Sequence, residues 1–518
     1  DTLVEQIALA VFNERMGEKV RTADAPFLAA GGGKRRLTPI TVTYTVGAAA
    51  KEGRVQDAFD VLLTEVARMR QLGVSAAELE RARKRLLASY ETYQKEQNKT
   101  ASRTHAEELV RVFTTGEAAP GVELESQIAR ELLEGISKED IDRFAQSWLP
   151  EQGRVVTVVM PQKPGLTPPS ETELRATIET AEQRRFVESD ETLVERPLLP
   201  TEPTPGTIVA RERVDSVGVE RWTLGNGMTV LIKSTDFKED QVLLSAVSYG
   251  GTLKASDADY PSARAASAIA AMSGLGDFGA VELGKMLAGT RVSSASAVAE
   301  QAETVSGSSS VEDLETLFQL THLQFTAPRL DDTGFALFKE QRAEAIRNRL
   351  KSPQTWFSDR YRELMWHGYL RYEPWNVVSL AAVDLEVARR FFTARFANAG
   401  DFTVALVGNT TPEQLEPFVT RYLASLPGDP KSKESPPSIG AQRNPESVSA
   451  TVRRGLDPKA QARLTLHGPF KNTAENRYLL GAVVSLLSDR LREELREELG
   501  GTYSVSANDS LREHPISD

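Results

Sequence analysis

Two residue pairs in this chain have the types and spacing for chemistry. Arg496 and Tyr503 are seven positions apart in L-S-D-R-L-R-E-E-L-R-E-E-L-G-G-T-Y-S-V, residues 487–505. Leu487, Leu491, Leu495 and Leu499 give the stretch a helical period, and Gly500-Gly501 supplies a stop where left-handed backbone is cheap. The pattern predicts Arg496 in the last helical turn and Tyr503 at the start of a strand. A guanidinium and a phenol brought together across such a turn are both hydrogen-bond donors, suited to a peptide carbonyl or a developing oxyanion. The plain alternative is a solvated, salt-bridged helix followed by a half-buried tyrosine. The second pair is weaker. His105-Ala-Glu-Glu108 imitates the start of a metal-binding helix, but Leu109 stands where the second ligand belongs, so it reads as an ordinary surface histidine. His322, His367, His467 and His514 are too scattered to form a ligand pattern. Gly31-Gly32-Gly33-Lys34 lacks the leading glycine of a phosphate loop and has Arg35 in place of the Ser/Thr, so it is expected to be a plain loop.

The elements that must position these residues are spread over 518 positions, enough for two to four domains. A net charge of −11 and the lack of any Lys/Arg block exclude a nucleic-acid binder. No apolar run is long enough to span a bilayer, and with no cysteine there are no disulfide or thiolate metal sites. The chain opens on Asp1 and directly on an amphipathic helix over residues 1–21, which is expected of a fragment or a processed chain.

A β-rich run at Leu37–Val46 follows, then helices over Val55–Leu72 and Ser75–Glu96, the latter begun by a Ser75/Glu78 capping box. A helix near Ala106–Phe113, a cap at Ser137 and a strand over Arg154–Met160 close this part. Residues 161–214 are proline-rich around one helix capped by Ser170 and Glu173, and read as an interdomain spacer. A fresh domain begins with a hairpin at Asn226-Gly227. A strand over Val242–Tyr249, four helices, an Asp384-capped helix, a strand over Phe402–Gly408 and a Thr411-Pro412 helix start complete it. After a Pro/Lys-rich stretch, a strand over Ala462–His467 leads into the helix of Arg496. The expected division is 1–160, 161–214 (linker), 215–430, 431–444 (linker) and 445–518.

The chain also repeats itself. N-E-R-M-G-E-K-V-R at 13–21 matches S-D-R-L-R-E-E-L-R at 488–496, pairing Arg15 with Arg490 and Arg21 with Arg496 at an offset of 475. Residues 142–155 match 389–402 at an offset of 247. The first offset is close to twice the second, as expected for one α/β module recurring at roughly 240 residues. The chain is then expected to start within one module, span a second and stop within a third.

W-T-L-G-N-G-M-T-V, V-A-L-V-G-N and L-R-E-E-L-G-G-T-Y-S-V together resemble the pitrilysin/insulinase family of zinc metallopeptidases, whose members carry H-x-x-E-H. The resemblance covers essentially the whole chain and is most specific at Leu495–Val505. It implies an α+β fold of repeated, mostly antiparallel modules with helices packed on one face, arranged as two halves of a clamshell. This chain would hold most of the second module, the linker, the third module and the start of the fourth. The positions matching the zinc motif are Ser267, Ala270 and Ala271, which cannot hold or use zinc. The resemblance therefore implies zinc in the parent protein, bound upstream of Asp1, and none bound here. It assigns Arg496 and Tyr503 to substrate binding and stabilisation of the tetrahedral intermediate. In the first copy Arg21 is kept but Leu28 replaces the tyrosine, so the role is expected only of the last copy.

The expected function is the C-terminal part of a zinc endopeptidase acting on peptides or unfolded polypeptides, inactive by itself. A non-catalytic assembly subunit of the same fold is the main alternative, and a structural repeat protein without chamber chemistry the third. A partner subunit or a homodimer is admitted by the resemblance, which also favours a periplasmic or cell-envelope setting over a cytoplasmic one.

Overall fold

A computed structural model of the chain describes residues 2–38, 40–150, 152–162, 164–188, 196–366, 368–436 and 443–511. In the first unit, helix α1 (Thr2–Val20) buries Ile7, Val11, Phe12 and Met16, one apolar stripe at helical spacing. It packs on an antiparallel hairpin, β1 (Phe27–Thr38) and β2 (Thr41–Ala50). The expected loop at Gly31-Gly32-Gly33 is instead strand, and the reason is closeness. A Cβ on Gly32 would stand 3.1 Å from the Phe12 ring and 3.2 Å from Val46. Asn13 uses that closeness, accepting from Gly32 N at 2.7 Å and donating to Gly32 O at 3.0 Å. Helices α2 (Val55–Leu72), α3 (Ala76–Lys95), α4 (Ser102–Thr115), α5 (Val122–Gly135) and α6 (Lys138–Ser147) follow, with capping boxes at Ser75/Glu78 and Ser137/Asp140 as expected. The expected strand at 154–160 joins no ladder; Val155 and Val159 are exposed.

The proline-rich stretch is more than a spacer. Its helix α7 (Glu171–Gln183) lies against α2 with Thr177 and Ala181 buried, and Arg184 holds Asp60 through two bonds of 2.8 and 3.0 Å. Its end, Ile208–Val214, is β3, the edge strand of the next sheet.

The middle unit is built on seven strands in the order β3-β4-β5-β11-β6-β10-β9. They are β3, β4 (Val219–Leu224), β5 (Thr229–Ser234), β6 (Val242–Tyr249), β9 (Val292–Val298), β10 (Ala302–Ser309) and β11 (Thr403–Gly408); β7 (Gly274–Leu275) and β8 (Phe278–Gly279) make a small separate bridge. Every neighbouring pair in the large sheet is antiparallel except β11 with β5. Strand β6 alternates strictly, burying Val242, Leu244 and Ala246 and exposing Leu243 and Val247. The helices are α8 (Tyr260–Ser273), α9 (Ala280–Met286), α10 (Leu314–Thr326), α11 (Asp332–Arg349), α12 (Pro353–Trp366), α13 (Val377–Ala381), α14 (Leu385–Phe396) and α15 (Pro412–Phe418). Phe318 of α10 and Phe392 and Phe396 of α14 share a core with Trp222, Phe402 and Tyr422. Both units are thus α+β, with antiparallel-rich sheets and helices on the buried face.

The two units meet through charged groups. Asp240 takes an ion pair from Lys95 at 3.1 Å and another from Arg291, and its N–H donates to Glu96 at 2.9 Å. Burial pushes the Asp240 carboxyl up, but the Val311 N–H and these two cations hold it below the ordinary value. Lys51 with Glu340 and Lys351 with Glu52 add two further links.

Beyond the middle unit, residues 443–472 cross the surface without a ladder. The strand expected at 462–467 does not form, and Leu464 and Leu466 stand in solvent. Helix α16 (Ala474–Leu491) follows, capped by Thr473.

Candidate substrate-binding site

Helix α16 does not end as an α-helix. Residues Arg492–Glu498 continue it as a π-helix, closed by Leu499 N–H on Glu494 O at 3.0 Å and Gly501 N–H on Leu495 O at 2.9 Å. Gly500 at φ +58° then turns the chain. The reversal sets the Arg496 guanidinium 5.8 Å from the centre of the Tyr503 ring. The sequence spacing therefore does bring the two donors together. Both are exposed, Tyr503 at 90%. The strand expected at Tyr503 is absent; residues 501–507 instead fold back on α16, where Ser488 Oγ exchanges hydrogen bonds with the Ala507 backbone at 2.9 and 3.0 Å.

The first copy of the motif is shaped differently. Arg21 is exposed just past α1, and Leu28 lies in β1. Arg15, the partner of Arg490 in the repeat, is half-buried between Glu65 (3.2 Å) and Glu78 (2.6 Å) and also donates to Gly73 O at 3.0 Å. This network was not singled out in the sequence, since 50 and 63 residues separate its members.

The positions matching a zinc motif lie on α8. Ser267 Oγ already accepts from Val298 N–H at 2.8 Å, Ala270 is buried and Ala271 exposed. None carries a metal-ligating side chain, and among the described residues no group of three His, Asp or Glu converges as a metal site. The residues present do not fit a zinc ion. His105 is exposed on α4. His322 is buried, with Nδ1 on Tyr422 O at 2.8 Å, and burial pushes its pKa below the ordinary value. His467 Nε2 meets Asn444 O at 3.1 Å, while His367 and His514 lie outside the described residues.

One buried ion group near α8 also escaped the sequence reading. Arg395 of α14 binds fully buried Glu303 and, at 2.8 Å, Glu434, and its Nη2 reaches Tyr249 O. Burial pushes the Glu303 carboxyl above its ordinary value despite the arginine. The group ties β10, β6, α14 and the segment past α15 together; nothing local in the sequence pairs residues 92 positions apart.

Residues 382–514 match the family described as Peptidase M16 inactive domain. Over 98% of its length it is 27% identical to a protein described as zinc protease PQQL-like from Arabidopsis thaliana, of which it covers 49%. The crystal structure of the periplasmic protease PqqL from Escherichia coli superposes with a TM-score of 0.54 at 19% identity, over 99% of this chain and 56% of that one. The ferredoxin protease FusC, solved as a point mutant in complex with Arabidopsis ferredoxin, gives a TM-score of 0.52 at 18% identity, over 85% and 49%. These structures share the fold. The chain spans about half the length of the curated relatives it matches. Among the described residues no helix is long and apolar enough to cross a membrane.

Proposed function

We propose that these 518 residues are the C-terminal part of a zinc-dependent endopeptidase that cleaves peptides or unfolded polypeptides. In this reading the chain supplies wall to the substrate chamber and the pair Arg496–Tyr503, while the metal is held by polypeptide outside it. The observation that carries the reading is the Gly500 reversal, which leaves a guanidinium and a phenol side by side, exposed and pointed at solvent. Arg496 donates in its plane and Tyr503 through its hydroxyl, so together they bind a substrate carbonyl and gain strength as its oxygen becomes anionic. Neither residue holds a metal or moves a proton from water. The periplasmic setting of one solved relative and the protein substrate held by another support, for this chain, an envelope location and a polypeptide ligand.

The test is turnover of an unstructured peptide by the gene's full-length product. Tyr503→Phe and Arg496→Met should each lower kcat/KM by about 100- to 1000-fold, the loss typical of one oxyanion donor, with the thermal midpoint unchanged. Unchanged turnover would sink the assignment. The 518-residue chain mixed with zinc should not cleave the peptide, and chelator-sensitive cleavage by it alone would place the metal site within these residues. A second reading, a non-catalytic assembly subunit, is favoured by the matched family's description as an inactive domain. An H-x-x-E-H elsewhere in the gene decides for the enzyme, and its absence for the subunit.

A further inference from the structure

The two units run through their elements in the same order. In the middle unit hairpin β9–β10 is followed by α10, α11 and α12, then by α14, a short turn, β11 and α15. In the first unit hairpin β1–β2 is followed by α2, α3 and α4, then by α6, a Gly153 turn, residues 154–160 and α7. Position by position, β2 corresponds to β10 and residues 154–160 to β11.

In the middle unit those two are not neighbours. Strand β6 stands between β10 and β11, antiparallel to both, in register from Val242 to Tyr249 on one side and Val242 to Val247 on the other. In the first unit no described strand stands between β2 and residues 154–160; a cavity of about 1000 Å³ does. Its lining runs along both segments, with Leu62, Leu63 and Val66 of α2 and Ile178 and Ala181 of α7 as an apolar wall. The outer edges of β1 and β2 pair with nothing described, leaving a two-stranded ribbon of ten-residue pairing whose β2 edge lines the cavity. Such a ribbon is marginal alone, and an open edge facing apolar surface is a template for another strand.

We propose that this cleft seats one added β-strand, antiparallel to β2 and to residues 154–160, with apolar side chains at alternate positions. The source is polypeptide of the same protein outside these 518 residues, because the curated relatives that align over nearly the whole chain are about twice as long. The strand turns residues 154–160 from an unpaired segment into a sheet strand, as β6 does for β11. It buries one side-chain row on α2, as β6 buries Val242, Leu244 and Ala246. The inference is independent of Arg496 and Tyr503.

Hydrogen–deuterium exchange on the gene's full-length product tests it, together with a photo-crosslinking amino acid at exposed Thr45. Amides on the outer edge of 41–50 and in 154–160 should exchange at least about 100-fold more slowly than in an unpaired segment. Thr45 crosslinks should map, within one molecule, to a segment outside residues 1–518. Fast exchange at these amides in the full-length product overturns the proposal. So do crosslinks that map within residues 1–518, or that join two copies of the protein, since a second copy is then the occupant.

Discussion

Helices α1 and α16 carry the same motif 475 residues apart and end in opposite circumstances. In α1 the apolar row is buried, with Ile7, Phe12 and Met16 at 0% exposure. In α16 no residue is buried; Leu487, which matches Phe12, is 46% exposed, and Leu486 65%. Arg15 lies between two carboxylates, whereas its match Arg490 pairs with no carboxylate among the described residues and sits on an exposed helix face. Helical period and charge pattern are nearly the same, so the difference lies in what each helix meets. A hairpin and four helices cover α1, and no described element covers α16 in this way. Amphipathicity states which face wants burial; the neighbour decides whether it is buried.

That contrast can be broken, beginning with the largest effect. Phe12→Ala removes a ring packed edge-on against Trp148 at 5.0 Å and should cost about 3–5 kcal/mol in urea unfolding of the first unit. Arg15→Ala leaves Glu78 buried without its cation and Glu65 with Lys19 alone, and should cost a comparable amount, about 3–5 kcal/mol, whereas Arg490→Ala should stay within about 0.5 kcal/mol. Equal losses at the two arginines would mean that α16 is covered as α1 is. Gly32→Ala forces a methyl against Phe12 and Val46 and should cost about 1–3 kcal/mol.

Acid sharpens the same comparison. Burial alone pushes the Glu78 carboxyl up, but the bonds and charge of Arg15, with the Ser75 N–H, hold it below its ordinary 4.5. A folded value below the unfolded one gives stability that is full above about pH 4.5 and is lost as the pH falls through the folded value. The first unit should therefore weaken on acidification below that point. In Arg15→Met the residual burial raises Glu78 instead, so the dependence should reverse and mild acid should stabilise; thermal midpoints between pH 3 and 7, a range of about four units around the carboxylate values, read this directly. The smallest effect is at Leu487→Ala, within about 0.5 kcal/mol on an exposed face.

The same division separates what was legible in the sequence from what was not. Capping boxes at Ser75/Glu78, Ser170/Glu173 and Thr411/Gln414, the Asp384 cap and the Asn226-Gly227 hairpin all stand where the sequence puts them. Each is decided within about four residues of chain. Asn226 adds bonds to Leu423 O and Leu426 O that only the fold supplies. The strands read at 154–160, 462–467 and 503–505 have sound alternating patterns and no ladder, because a strand's hydrogen bonds belong to its neighbour. Conversely, the Ser- and Ala-rich residues of β9 and β10, at which the sequence points to no strand, pair with each other and, through β10, with β6. Gly31-Gly32-Gly33 reads as loop for the same local reason and is strand because α1 presses on it. At the candidate site the spacing of Arg496 and Tyr503 was legible, while the π-helical turn and the fold-back on Ser488 were not.

That π turn makes the placement of Arg496 a matter of phase. Successive residues of an α-helix advance by about 100° around the axis, and a π turn absorbs one residue more than an α turn. Deleting a single residue between Leu491 and Leu495 would let Arg492–Glu498 relax to ordinary pitch with Arg496 nearly in its old phase, whereas the same deletion in an ordinary α turn would swing everything beyond it by about 100°. The helix would keep its length to within one rise and its charges in order. The turn is thus a spare residue that the helix stores without turning the face that carries Arg496.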